Sequence, residues 1–271
     1  MRFIINILCC ILAFSSCTEI KKYHSIHAGP KPIAVVIERN PGIRVTGSET
    51  PLSVLYENGT LIYSEQSEAD IPFYMKKELE PEDFKILKNE ICMTEKFKKL
   101  RNSYNLCPNI LGSTTVEIYM SDGKNSKAVS VYGYGIELEK IHDRIPYPDK
   151  NDKLPDEFRR IFRKLTGLNF IEAEKWTPDY IEIMIWPYGN APEKSANWPS
   201  GWPSLSHPLT RKRGDSYSLY MPGLEKNDLN DFLDNLKPKQ AVLINGDKWS
   251  VDCRFVFPGE PLWMKAFNKM Q

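Results

Sequence analysis

Three turn dipeptides, each between stretches of alternating apolar residues, constrain the fold of this chain most strongly. They are Asn58-Gly59, Asp122-Gly123 and Asn245-Gly246. Asn-Gly and Asp-Gly in this setting are the strongest short-range signal of a β-hairpin, because both positions accept the positive φ that a tight turn requires. The sequence therefore predicts three hairpins, and with them antiparallel sheets.

Helical patterns separate the hairpins. Pro81 opens the first predicted helix, and Pro155 opens another whose apolar face packs a core or bridges two sheets. Two of the predicted helices carry apolar residues at the same spacing: Phe84, Leu87 and Ile91 in one, and Leu229, Phe232 and Leu236 in the other.

The two halves of the chain share an element order of strand, strand, helix, strand, strand. Strands at residues 33–37 and around Asn58-Gly59 precede the first helix, and strands at 180–186 and 216–221 precede its counterpart. We therefore predict an α+β fold of tandem ββαββ-like units, with antiparallel sheets each packed with a helix. Chance recurrence of short patterns is the alternative interpretation.

The N-terminus has the pattern of an export signal. The apolar stretch at residues 3–14 follows Arg2 and is shorter than the roughly 20 residues that a membrane-spanning helix needs. Its ending, Ser15-Ser16-Cys17, resembles the lipobox of bacterial lipoproteins of the Bacteroidetes type, with Phe14 where that family usually has Leu. The resemblance implies cleavage before Cys17, a palmitate-type lipid on that residue and membrane attachment through it. An ordinary secretory signal or a weak anchor is the alternative.

The residues after Cys17 bear on location within the envelope. The resemblance implies an acidic run here in lipoproteins that are exported to the cell surface, whereas residues 18–22 read Thr-Glu-Ile-Lys-Lys. We therefore expect an outer membrane lipoprotein that faces the periplasm. The predicted organisation is: signal peptide 1–17 with the lipid on Cys17, tether 18–31, first α+β unit 32–145, connecting helix region 146–170, and second α+β unit 171–271 with a long loop at 187–215.

Charge and cysteine content limit the choice of partners. The chain has 36 Lys and Arg against 35 Asp and Glu, so it has no global field for nucleic acid, which we exclude as a partner. In an exported protein, Cys92 and Cys107 form a candidate disulfide that closes a local loop, with the unpaired state as the alternative. We expect Cys253 to pack as a small apolar residue.

The long loop contains the candidate binding residues. Trp198 and Trp202 each precede a proline, which restricts the backbone and displays the indoles at low entropic cost, and Arg211 and Arg213 form a positive patch. Together they predict a surface for a sugar ring, a peptide or an acidic partner. The alternatives are that both indoles cover the second sheet as a lid, or that the loop is disordered without a role.

Catalytic motifs for a nucleophile elbow, a zinc protease, a P-loop or a dinucleotide site do not occur in the sequence. His207, the carboxylate pairs Glu137/Glu139 and Asp228/Asp231, and the tether residues His24 and His27 are isolated signals that also suit solvated surfaces. We predict no metal and no cofactor.

The combined pattern favours a lipid-anchored envelope protein that acts as a non-catalytic binding module for an envelope protein, peptide or glycan. Enzymatic activity is the less favoured outcome. The alternatives are an envelope hydrolase with carboxylate or histidine chemistry near the loop 187–215, and a structural envelope component.

Overall fold

The computed structural model describes residues 26–41, 49–65, 73–91, 93–108, 110–135, 153–168, 170 and 172–269. Cys17, His24, Cys92, Glu137 and Glu139 therefore lie outside the described residues. Contacts divide the chain into two compact units. The larger unit contains Gly29–Trp176 and the segment from Gly259 onward, and the smaller unit contains Thr177–Pro258 with residues 26–28.

Eight strands form the sheet of the larger unit. They are β1 (Pro32–Arg39), β2 (Pro51–Tyr56), β3 (Thr60–Glu65), β4 (Phe73–Glu78), β5 (Ser103–Asn105), β6 (Thr115–Ser121), β7 (Ser126–Tyr132) and β8 (Glu174–Lys175). Their order is β5-β7-β6-β1-β2-β3-β4-β8, and every pair is antiparallel except β5 with β7.

Six strands form the sheet of the smaller unit: β9 (Tyr180–Pro187), β10 (Ala196–Asn197), β11 (Arg211–Arg213), β12 (Ser216–Pro222), β13 (Val242–Ile244) and β14 (Asp247–Phe255). Their order is β10-β13-β14-β9-β12-β11, with one parallel pair, β10 with β13. All three predicted hairpins are confirmed. The tightest joins β13 to β14 through Asn245 and Gly246, both at positive φ, as a two-residue hairpin turn requires.

Five α-helices lie in the described part of the chain: α1 (Pro81–Ile91), α2 (Glu95–Lys98), α3 (Asp156–Thr166), α4 (Lys226–Asp234) and α5 (Glu260–Asn268). The first three share one core with the larger sheet. Leu87 of α1, Phe97 of α2 and Phe158 of α3 pack there with Ala34 and Val36 of β1. The fold is thus α+β, with two mostly antiparallel sheets and few helices.

The C-terminal helix α5 lies on the other face of the larger sheet. Successive side chains of a strand point to opposite faces, so Arg39 lies on the face opposite to Ala34 and Val36. On that face its guanidinium lies 6.0 Å from the ring centroid of Phe267. Trp263 and Phe267 are completely buried. The larger sheet is therefore covered by helices on both faces.

The predicted domain boundaries differ from this division in four places. Residues 26–28 were expected in the tether, but they belong to the smaller unit, and residues 174–175 were expected in the second unit, but they form β8 of the larger sheet. The helix region 146–170 was expected to connect two units, but α3 belongs to the core of the larger one. The segment 259–271 was expected in the second unit, but its described residues, 259–269, belong to the first. Gly259 marks the return, since a Cβ there would lie 2.7 Å from Cδ of Pro32.

The tandem ββαββ plan is not confirmed, because the two sheets have different strand orders. In the larger unit β1 lies beside β6, which is the first strand of the β6–β7 hairpin. In the smaller unit β9 lies beside β14, which is the second strand of the β13–β14 hairpin. Short apolar patterns predict that a strand exists, but non-local packing selects its neighbour.

Candidate functional site

Backbone hydrogen bonds attach the long loop, residues 187–215, to the edge of the smaller sheet. Within it, the Ala196 N–H donates to the Ala241 carbonyl at 2.9 Å and the Trp198 N–H to the Leu243 carbonyl at 3.2 Å. The Gln240 side-chain amide donates to the Lys194 carbonyl at 2.7 Å. The loop is therefore a folded extension of the sheet, which differs from the interpretation of a disordered loop.

An aromatic triad, Trp198, Trp202 and Phe232, forms where this loop meets α4. The ring centroids lie 4.9 Å apart for the two indoles, 5.6 Å for Trp198 and Phe232, and 5.5 Å for Trp202 and Phe232. The interplanar angles are 75°, 88° and 73°, so every pair makes the favourable edge-to-face contact. All three side chains are half-buried, so each packs against its neighbours and keeps part of its surface exposed.

The two indole N–H groups have different environments. The Trp198 Nε1–H donates to the Pro203 carbonyl at 2.9 Å, which fixes this ring to its own loop. The Trp202 Nε1–H donates to no acceptor within the described residues. The triad therefore combines an anchored ring with a ring that offers a free hydrogen-bond donor.

Arg211 and Arg213 do not join the triad. They lie on β11 at one edge of the sheet, whereas Trp198 follows β10 at the other edge, with four strands between them. At ~4.8 Å per strand, the two edges are about 24 Å apart. The single positively charged aromatic surface that the sequence predicted is thus two separate regions, because the loop crosses from one edge of the sheet to the other.

Arg213 belongs instead to a buried cluster around Glu182, which is only 1% exposed. Glu182 Oε2 lies 2.5 Å from Arg254 Nη2, and its Oε1 accepts a hydrogen bond from Ser218 Oγ at 2.5 Å and lies 3.4 Å from Arg213 Nη2. Burial alone would raise the pKa of Glu182, but the two guanidinium groups and the Ser218 hydroxyl outweigh it and lower the pKa. The carboxylate is therefore ionised at neutral pH and held as an acceptor.

A comparable pair lies in the larger unit. Arg39 Nε donates to Glu117 Oε2 at 2.7 Å, and Arg39 Nη1 lies 3.3 Å from Glu49 Oε2. Burial raises the pKa of Glu117 more than Arg39 lowers it.

The two buried glutamates, Glu182 and Glu117, were not predicted from the sequence. The available signal was a charged residue inside an apolar strand, as in Ile181-Glu182-Ile183.

The remaining candidate catalytic residues do not form a site. His207 is half-buried, and its Nδ1 accepts the Leu209 N–H at 3.3 Å as part of the loop structure. Asp228 and Asp231 are exposed on α4. Among the residues that the structure describes, no three His, Cys, Asp or Glu side chains are grouped closely enough to hold a metal ion.

One cysteine of the predicted Cys92–Cys107 disulfide lies in the described ranges and the other does not. Cys107 is a buried free thiol, whereas its predicted partner Cys92 lies outside the described residues. The Cys107 sulfur packs toward Gly133, where an added Cβ would come within 2.3 Å of it. Cys253 is also free, and burial, with a smaller effect of Asp252, raises its pKa to about 12, so the thiol stays protonated and unreactive.

None of the helices in the described ranges is long and apolar enough to cross a bilayer. Comparison of the chain with protein-family models, with curated protein sequences and with solved structures finds no match.

Proposed function

We propose that this chain is a lipid-anchored protein of the cell envelope that acts as a non-catalytic binding module, with the aromatic triad as its contact surface. The half-exposed packing of Trp198, Trp202 and Phe232 is the observation that carries the proposal. Indoles are enriched at binding hot spots because they bury a large area at low entropic cost.

The triad geometry favours a ligand that lies on the rings. Centroid separations of 4.9 to 5.6 Å mean that the rings touch one another, so no slot remains between them. A ligand would cover the exposed ring surfaces and accept a hydrogen bond from the Trp202 indole. A sugar ring or a peptide backbone offers both an apolar face and such an acceptor. An acidic partner is less well supported, because Arg211 and Arg213 lie at the opposite edge.

The test is binding of the purified chain to arrays of oligosaccharides and of synthetic peptides, followed by titration of the best hit. Combined Trp198→Ala and Trp202→Ala substitution is expected to weaken that binding about 30-fold or more, the loss typical of a hot spot. The unit is expected to stay folded by circular dichroism, since neither indole belongs to the fully buried core.

A conservative variant separates contact from packing. Trp202→Phe keeps an aromatic ring against Phe232 but removes the N–H, so binding should weaken while stability changes little. Trp186→Phe, at another half-buried position of this unit, is the matched control. Unfolding of the double alanine variant, with normal binding by Trp202→Phe, would identify the indoles as core and overturn the proposal.

The proposed anchor has its own test. Cys17→Ser is expected to abolish incorporation of labelled palmitate and to release the protein from the membrane fraction, because the lipid is attached at this sulfur. Cys253→Ser, which removes a free thiol elsewhere, should leave labelling unchanged. Unlabelled wild-type protein, or labelling that persists without Cys17, would contradict lipidation at this residue.

A further inference from the structure

A second surface, independent of the aromatic triad, lies in the larger unit between α1 and α3. It is a groove of about 590 Å³, which we call the basic groove. Its six lining residues all carry charged side chains: Glu90, Asp156, Arg159, Arg160, Arg163 and Lys164.

The groove follows from the amphipathic pattern of α3. Phe158, Ile161 and Leu165 are completely buried against the sheet. Arg159 and Arg163, four residues apart, therefore point away from the core on a common face, as do the neighbouring residues Arg160 and Lys164. Four cations are thereby concentrated along two turns of one helix.

The carboxylates of the groove do not balance these cations. Lys164 Nζ lies 2.6 Å from Glu90 Oε2, and Arg159 Nη1 lies 3.1 Å from Asp156 Oδ1. The Asp156 side chain is 95% exposed, so its ion pair is weak and Arg159 can exchange partners readily. Arg163 makes no ion pair with a carboxylate in the described ranges.

Arg160 has a structural role that explains its position. Its guanidinium pairs with Glu157 at 2.8 Å and donates to the backbone carbonyl of Glu90, in the last turn of α1. Carbonyls in a last helical turn lack partners within the helix, so this contact caps α1. Arg159 and Arg163 have no such role and remain available to a ligand.

We propose that the basic groove binds a dianionic phosphate group. The four cations of its lining pair with three carboxylates, Glu90, Asp156 and Glu157, which leaves Arg163 unpaired and an excess of one positive charge. A phosphate monoester carries about two negative charges at neutral pH, enough to pair with Arg163 and with Arg159 when Arg159 leaves the exposed Asp156. Guanidinium groups match phosphate oxygens with paired hydrogen bonds.

Inorganic phosphate is the first probe, titrated into the full chain at constant ionic strength and followed by NMR. Saturable binding is expected, and combined Arg159→Gln and Arg163→Gln substitution should weaken it about tenfold or more, through loss of charge-assisted hydrogen bonds. The matched control is Lys85→Gln with Lys124→Gln, which removes the same charge from exposed residues outside the groove.

Glu90→Gln gives a result that a purely structural ion-pair cluster would not produce. It removes a negative charge from the groove and releases Lys164, so phosphate should bind about two- to fivefold more tightly. The substitution leaves the backbone carbonyl of residue 90, which accepts the hydrogen bond from Arg160, unchanged. Weaker phosphate binding by this variant would contradict the proposal.

Vesicles distinguish a free phosphate compound from a lipid headgroup. Phosphatidic acid carries a phosphate monoester, so binding to its vesicles is compared with binding to phosphatidylcholine vesicles. Attachment through an N-terminal lipid contributes to both measurements, so it is removed when one is subtracted from the other. A difference that the arginine variant abolishes identifies a headgroup, whereas binding of inorganic phosphate alone identifies a soluble ligand. Failure of both, or equal binding by the arginine variant, would overturn the phosphate site and leave the aromatic triad unaffected.

Discussion

Replacing Trp263 with alanine is expected to lower the free energy of unfolding of the larger unit by about 3–5 kcal/mol, the usual loss for a large aromatic side chain removed from a core. Trp263 is 1% exposed and lies in the middle of α5. This helix contacts β1, β6 and β7, three neighbouring strands of the larger sheet. The measurement is chemical denaturation followed by circular dichroism and tryptophan fluorescence.

The location of the effect is as informative as its size. Amide hydrogen exchange should become faster in β1, β6 and β7, because α5 covers that sheet, and much less so in β9 and β14 of the smaller unit. Leu262→Ala is the control on the same helix, since Leu262 is 46% exposed and its removal should cost little. Faster exchange only in the smaller unit would contradict the assignment of α5 and support the boundary predicted from sequence.

Replacing Arg254 with methionine is expected to destabilise the smaller unit by about 3–5 kcal/mol at neutral pH, because it leaves a buried carboxylate without its closest counter-ion. Arg254 is the charged group nearest to Glu182, at 2.5 Å. Arg213 compensates little, since its side chain is 57% exposed and lies 3.4 Å away. The measurement is the free energy of unfolding as a function of pH.

The pH dependence has a definite sign. In the wild type the pKa of Glu182 is lowered, so its stabilising contribution is present above the pKa of the unfolded chain and is lost as the pH falls through the folded value. In the variant, the positive charge of Arg254 no longer opposes the effect of burial, so the pKa of Glu182 rises. Protonation then relieves the buried charge, so the deficit of the variant should shrink as the pH falls toward about 4.

A double mutant separates the ion pair from simple packing. Adding Glu182→Gln to Arg254→Met removes the unpaired charge and should restore part of the lost stability. A double mutant that is no more stable than Arg254→Met, or a deficit that does not change with pH, would show that Arg254 acts through its packing alone.

Local elements of this fold could be predicted because their signals are local. Asn245-Gly246 specifies its hairpin through positive φ at both residues, and the helical spacing of Phe84, Leu87 and Ile91 lies within α1. Strand β4 was not predicted, since its sequence, Phe-Tyr-Met-Lys-Lys-Glu, is mostly half-buried and alternates poorly. Helix α5 was also missed, although Pro261 stands in its first turn, a position that favours helix initiation.

The candidate site was predicted only in part. Trp198 and Trp202 were identified from composition and spacing, and the structure adds Phe232, which had been interpreted solely as the apolar face of a helix. Arg211 and Arg213 were grouped with the indoles because they are near in sequence. The loop, however, connects opposite edges of the sheet, so proximity along the chain does not carry over into space.

The amino-acid sequence by itself determined the hairpin turns, most helices and the positions of the paired indoles, because φ preferences and apolar spacing act between neighbouring residues. Only the tertiary structure decided the order of the strands, the return of α5 to the larger unit, the partner of each indole and the burial of Glu182 between Arg213 and Arg254. These features depend on contacts between residues far apart in the chain, such as Glu182 and Arg254, and such contacts are selected by packing of the whole unit.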